Sequence, residues 1–134
     1  MARVEHLAIY KSSYDLCLYV EQAVRKFSRY HKYGLGADLR EGARRVLRGV
    51  ARANAQRDKG PELLRLREEL EELKVLLRLC HDVKAFPNLT AFEHATRQVT
   101  EIAKQNEGWL KSQRQGHGQS RRAMPGGPAA PGAP

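Results

Sequence analysis

Apolar residues recur along this chain at steps of three and four, the period of one face of an α-helix. Leu7, Tyr10, Tyr14, Cys17, Val20, Val24 and Phe27 set the first run, which predicts a helix from about Val4 to Tyr30. The run stops at Tyr33-Gly34-Leu35-Gly36, a Gly-rich connection. Leu39, Ala43, Val46, Val50 and Ala53 predict a second helix over Gly36–Arg57. Gly60-Pro61 opens a third; proline at the first helical position loses no needed hydrogen bond. Leu63, Leu66, Leu70, Leu73, Leu76, Leu77, Cys80 and Val83 line it as far as Pro87. Thr90 and Glu93 then form a capping-box pattern, in which the Thr90 hydroxyl accepts from the Glu93 amide. A fourth helix follows through Phe92, Ala95, Val99, Ile102, Trp109 and Leu110, fading near Gln113.

No segment alternates with period two, so no strand is predicted. Four amphipathic helices of about 20–27 residues with short connections describe an all-α fold. The expected architecture is an antiparallel up-down-up-down four-helix bundle over residues 1–114. Residues 115–134 hold four Pro and five Gly with little apolar bulk, which predicts a disordered Pro/Gly-rich tail. Gly42 and Gly49 lie seven apart beside the apolar stripe of the second helix. Each costs about 1 kcal/mol relative to Ala, so the pair points to a closely approaching helix, from the bundle or from another subunit.

Composition narrows the function. The 134 residues include 24 Lys+Arg against 15 Asp+Glu, a net charge of +9. That excess favours a polyanionic partner, nucleic acid before a membrane surface; charge for solubility alone is the other reading. Apolar residues at 41% are enough for one core but thin for an enzyme with a deep pocket. No apolar run approaches the roughly 18 residues of a membrane span. The opening Met-Ala-Arg-Val-Glu-His lacks a signal pattern, so a reducing cytoplasm is the expected compartment. Cys17 and Cys80 fall on apolar stripes and read as packed thiols. Two cysteines exclude a disulfide framework and a four-thiolate zinc site. None of the five His has a partner at metal-binding helical spacing, so neither a metal nor a cofactor is expected.

The charge is uneven. Residues 1–60 carry +7 of it, whereas residues 61–86 are net −1. Arg40, Arg44, Arg48 and Arg52 recur at steps of four and spread over about 120° of the second helix, opposite its apolar stripe. Arg45 flanks this arc, and Arg57 and Lys59 extend it; Asp38 and Glu41 are the only acids in that helix. Such a ladder can follow a phosphate backbone; the alternative is a solvated face. Arg25, Lys26, Arg29 and Lys32 form a second cluster near the end of the first helix. They either complement the helix dipole or bind phosphates, with Phe27, Tyr30 and Tyr33 between them as core residues or as base-stacking rings. Both clusters are candidate nucleic-acid-binding positions. Glu68, Glu69, Glu71 and Glu72 make an acidic run, either solvated or facing a basic neighbour. Arg25 and His31, separated by five residues, resemble the Arg-to-His spacing of HEPN ribonucleases, in which the His would act as acid or base. That gives a rival reading, and a scaffold that binds only protein gives another.

Four stretches fall in order and at suggestive spacing: Tyr10-Lys-Ser-Ser-Tyr14, Tyr30-His-Lys-Tyr-Gly-Leu-Gly36, Arg52-Ala-Asn-Ala-Gln-Arg-Asp-Lys-Gly-Pro61 and Gly108-Trp-Leu-Lys111. Together they resemble the accessory variability determinant (Avd) proteins of diversity-generating retroelements, which are similar to four-helix bundles associated with ribosomal RNA intervening sequences. The resemblance spans about residues 5–113. It implies a non-enzymatic bundle that assembles into a basic, pentameric barrel. It implies a reverse transcriptase as partner, and binding of template-repeat RNA or its cDNA in support of adenine-directed mutagenic copying. The matching positions of its most specific stretch are Arg52, Asn54, Arg57, Asp58 and Lys59. Gly60 stands where many relatives carry a basic residue, so one charge near that turn is missing.

Overall fold

The computed structural model describes the backbone of residues 3–123 and the side chains of residues 3–116. A 3-10 turn, Val4–His6, leads into α1, Ala8–Arg25. A four-residue helix α2, Arg29–Lys32, links it to α3, Leu35–Ala55. Helix α4 covers Gly60–Asp82 and α5 covers Leu89–Ala123. Among the described residues there is no strand. The four long helices form an all-α bundle in which α1 packs on α3 and α5, and α4 packs on α3 and α5.

Contacts fix the register. Arg44 of α3 meets Glu21 of α1. Gly42 faces Leu73 and Gly49 faces Leu66, so positions rise along α3 as they fall along α4. Ser12 of α1 meets Gln105 of α5, and Tyr19 meets His94, the same reversal. Neighbouring long helices therefore run antiparallel.

The core follows the predicted stripes of the second and third helices closely. Leu39, Ala43, Val46, Val50 and Ala53 are all buried, as are Leu63, Leu66, Leu70, Leu73, Leu77 and Cys80. In α1 the stripe is rotated. Ile9, Ser13 and Leu16 turn inward with Val20, Val24 and Phe27, while Tyr14 is 47% exposed and stacks on Tyr10. Val83 is exposed as well. Ala53, Leu63 and Leu110 make a small second cluster under Trp109 at the α3–α4 end.

Four boundaries differ from expectation. The first helix does not reach Tyr30: it ends at Arg25, and Ser28 is extended before α2. Phe27 pulls the chain inward there, meeting Phe86 edge to face at 5.2 Å. Helix α4 stops at Asp82, because Lys84 adopts a left-handed conformation (φ 63°) and the Ala85 amide returns to the Cys80 carbonyl. That is a Schellman-type ending, usually made by glycine. Helix α5 is capped by Asn88, whose Oδ1 accepts from the Ala91 amide at 2.9 Å, so the capping box at Thr90 and Glu93 is not formed. Finally, α5 continues through residues 115–123, where a disordered tail was expected. The rest of that expected tail, 124–134, lies outside the described residues.

Candidate nucleic-acid interface

The outer face of α3 exists because the apolar positions of that helix are confined to one side. Burying Leu39, Val46 and Val50 turns Arg44, Arg45 and Arg48 outward, and all three are exposed. Arg40 and Arg52 sit at the margins, half-buried, and the Arg40 Nε is buried without a hydrogen-bond partner.

This face is not a bare row of cations. Arg48 donates to Glu41 at 2.6 Å, and Arg44 and Arg45 approach the same carboxylate at 3.9 Å. Arg44 also donates to Glu21 of α1 at 2.8 Å, and Arg52 to Glu62 of α4 at 3.4 Å. Hydrogen bonding from Arg48 holds the Glu41 carboxyl below its ordinary pKa, helped by the charges of Arg45 and Arg44. Four arginines, Arg44, Arg45, Arg48 and Arg52, thus share three carboxylates. Glu21 and Glu62 were missed from sequence because they arrive from neighbouring helices; only Glu41 was visible within α3.

The α3–α4 turn assigns its polar residues to structure. Lys59 donates to the carbonyls of Asn54 and Gln56 at 3.1 and 2.6 Å, covering acceptors that the end of α3 leaves open. Asp58 accepts from the Gly60 amide at 3.2 Å, an Asx-type turn into α4. Asn54 is buried. Of the turn's two cations, Arg57 is exposed and forms no ion pair among the described residues. Lys59, expected to extend the ladder, instead closes the helix.

The second cluster lies at the opposite end. Arg25, Lys26 and Arg29 are exposed and Lys32 is half-buried; among the described residues none forms an ion pair. Phe27 belongs to the core, whereas Tyr30 and Tyr33 are exposed. The break before α2 puts Arg25 and His31 on separate helices, and the His31 ring packs edge-on against Tyr30 at 4.9 Å. His81 and His94 pack on Phe92 and Tyr19, each at 4.2 Å. Burial pushes the Cys17 and Cys80 thiols up to about 11, far from the thiolate a reactive cysteine needs.

A family model described as bAvd-like matches residues 7–113, most of the chain and every element just described from α1 into α5. The chain belongs to the bAvd-like family. Among curated proteins, none is significantly similar to it. Within this bAvd-like bundle the most specific stretch, Arg52 to Pro61, holds the α3–α4 turn together, and Trp109 covers the small core beneath it. Exposed Tyr14 stacks on Tyr10, which is half-buried against the core. No helix among the described residues is long and apolar enough to cross a membrane.

Proposed function

We propose that this chain is a non-enzymatic accessory protein of a diversity-generating retroelement, binding template-repeat RNA or its cDNA together with a reverse transcriptase in the cytoplasm. The observation that carries the nucleic-acid half is the set of exposed, unpaired cations Arg25, Lys26 and Arg29 at one end of a family-matched bundle. The partly compensated α3 face adds Arg40, Arg44, Arg45, Arg48 and Arg52. Phosphate contact by these groups releases counterions, which makes binding steeply salt-dependent.

The protein-docking half is supported by α4. Its outer face mixes Val75, 70% exposed, with exposed Leu79, Leu64 and Val83 and the acids Glu68, Glu71 and Glu72. Exposed apolar side chains among these acids, which Lys74 and Arg78 only partly offset by pairing with Glu71 and Asp82, suit a basic protein neighbour. A reverse transcriptase fits that description, and so does the basic face of a second copy in a homo-oligomer, a pentamer by family resemblance.

Anisotropy of labelled template-repeat RNA with the full-length protein tests the reading. The affinity should fall by orders of magnitude between about 50 and about 200 mM salt. Neutralising Arg25, Lys26 and Arg29 to Gln should reduce the salt slope by about 2, at roughly 0.7 per single-strand phosphate contact. Salt-insensitive or absent binding would sink the nucleic-acid half. Failure to copurify with a diversity-generating retroelement reverse transcriptase coexpressed with it would sink the other.

A further inference from the structure

The α1–α2 end of the bundle carries two aromatic rings that the fold does not use. Tyr30 is 88% exposed and Tyr33 is 73% exposed. Both belong to a very short link: Tyr30 lies in the four-residue α2 and Tyr33 is its C-cap. Phe27, from the same link, is buried against Phe86. One aromatic of the three therefore anchors the link, and the other two stand mostly in solvent, Tyr30 with only the His31 ring edge-on against it.

Four cations surround them. Arg25 closes α1, Lys26 follows it, and Arg29 and Lys32 begin and end α2. None is occupied by a carboxylate among the described residues, in contrast to the arginines of α3. The register between α1 and α3 joins the two regions. Glu21 meets Arg44 partway along α3, and Gly36 in the first turn of α3 packs against Val24 and the His31 carbonyl. The unpaired cluster thus lies beside the start of α3, at the same end of the bundle as the tyrosines.

We propose that this end is a stacking platform for unpaired nucleotides, with Tyr30 and Tyr33 receiving bases and Arg25, Lys26, Arg29 and Lys32 holding the flanking phosphates. The inference rests on the nucleic-acid reading above and specifies its ligand as a single strand. Bases in a duplex present their faces to each other, so exposed rings gain nothing along its length. A single strand, a loop or an end offers free base faces. Every base has such a face, so the platform distinguishes strandedness rather than sequence. It also treats RNA and DNA alike, because stacking does not read the 2′-hydroxyl.

The test uses the full-length protein, a labelled single-stranded RNA of mixed sequence, the single-stranded DNA of the same sequence, and the RNA paired to its complement. Replacing Tyr30 and Tyr33 together by Ala should weaken binding of both single strands by at least about fivefold, the lower end for loss of one stacked base. Duplex affinity should not change, and the Tyr30→Phe/Tyr33→Phe protein should bind like the parent. Both rings are exposed, so the melting temperature should be unaffected. Single-strand affinity unchanged by the Ala pair, or an equal loss on duplex, overturns the platform alone and leaves the tyrosines as protein-docking surface. If the parent protein retains no nucleic acid at all, the platform and the underlying reading fail together.

Discussion

Gly36 should be the least replaceable glycine of the bundle. It stands in the first turn of α3, where that helix crosses the end of α1. A Cβ added there would lie 2.7 Å from Val24 Cγ1, 3.3 Å from the His31 carbonyl oxygen and 3.4 Å from Phe27 Cδ2. Carbon atoms prefer about 3.5–4.0 Å, so the overlap with Val24 is close to an ångström. Val24 is buried and β-branched, held near one rotamer in a helix, and cannot swing aside. Relief requires α3 to move off α1, an overpacking cost of about 1–3 kcal/mol. Exchanging Gly for Ala in a helix returns at most about 1 kcal/mol. Gly36→Ala should therefore destabilise by about 1–2 kcal/mol and lower the melting temperature by roughly 4–10 °C. Gly42→Ala is the control. Its Cβ meets only the flexible Leu73 Cδ1, at 3.0 Å, and takes the full mid-helix gain. Its stability should stay within about 1 kcal/mol of the parent. Thermal and urea melts followed by circular dichroism at full length compare the two. A Gly36→Ala protein as stable as the parent, or a Gly42→Ala protein worse than Gly36→Ala, would refute the close-approach argument.

Other substitutions probe the turns and the charges. Lys84→Gly should stabilise by about 0.5–1 kcal/mol, because a side chain now occupies the left-handed position that ends α4; a lower melting temperature would contradict this. Glu41→Gln should tighten RNA binding roughly threefold at low salt, the effect of one unit charge about 7 Å from a phosphate in water, and the gain should vanish at high salt; weaker binding in an anisotropy titration would mean that α3 does not touch the ligand. The Glu41 and Glu107 carboxyls are held low by hydrogen bonds from Arg48 and Arg67. Their contribution to stability is present above the ordinary carboxylate pKa and is lost as pH falls through the depressed folded values. Melting temperatures between about pH 6 and about pH 3 should fall less for the Glu41→Gln/Glu107→Gln protein than for the parent.

The bundle was legible from sequence because helical periodicity and burial are the same fact along α3 and α4. Every predicted stripe position from Leu39 to Ala53 is buried. Local chemistry that breaks a helix without altering its period was not legible. The spacing through Val24 and Phe27 fits one continuous helix, yet the chain turns at Lys26–Ser28 and still buries Phe27. Lys84 makes a turn that glycine would have advertised. Tyr14 matched the first stripe by period, but Ile9, Ser13 and Leu16 fill the interior and leave it outside. Asn106 is fully buried and donates to the Leu63 carbonyl, a tertiary role that no local pattern marks.

The candidate site shows the same division more sharply. Counting cations along α3 finds every arginine of the ladder but says nothing of their availability. That depends on acids from α1 and α4, Glu21 and Glu62, which come into reach only when the helices pack. A paired exposed arginine keeps its charge but must share or exchange its carboxylate before it holds a phosphate, and the local field it offers is weaker. Arg25, Lys26 and Arg29 need no such exchange. The smaller cluster, whose position at a helix end has an ordinary dipole explanation, therefore presents the more accessible cations. Its adjacent Tyr30 and Tyr33 also offer contacts that charge cannot supply. For a polyanionic ligand, the α1–α2 end therefore offers the cations that cost least to engage, and the α3 face offers those that must first give up a carboxylate.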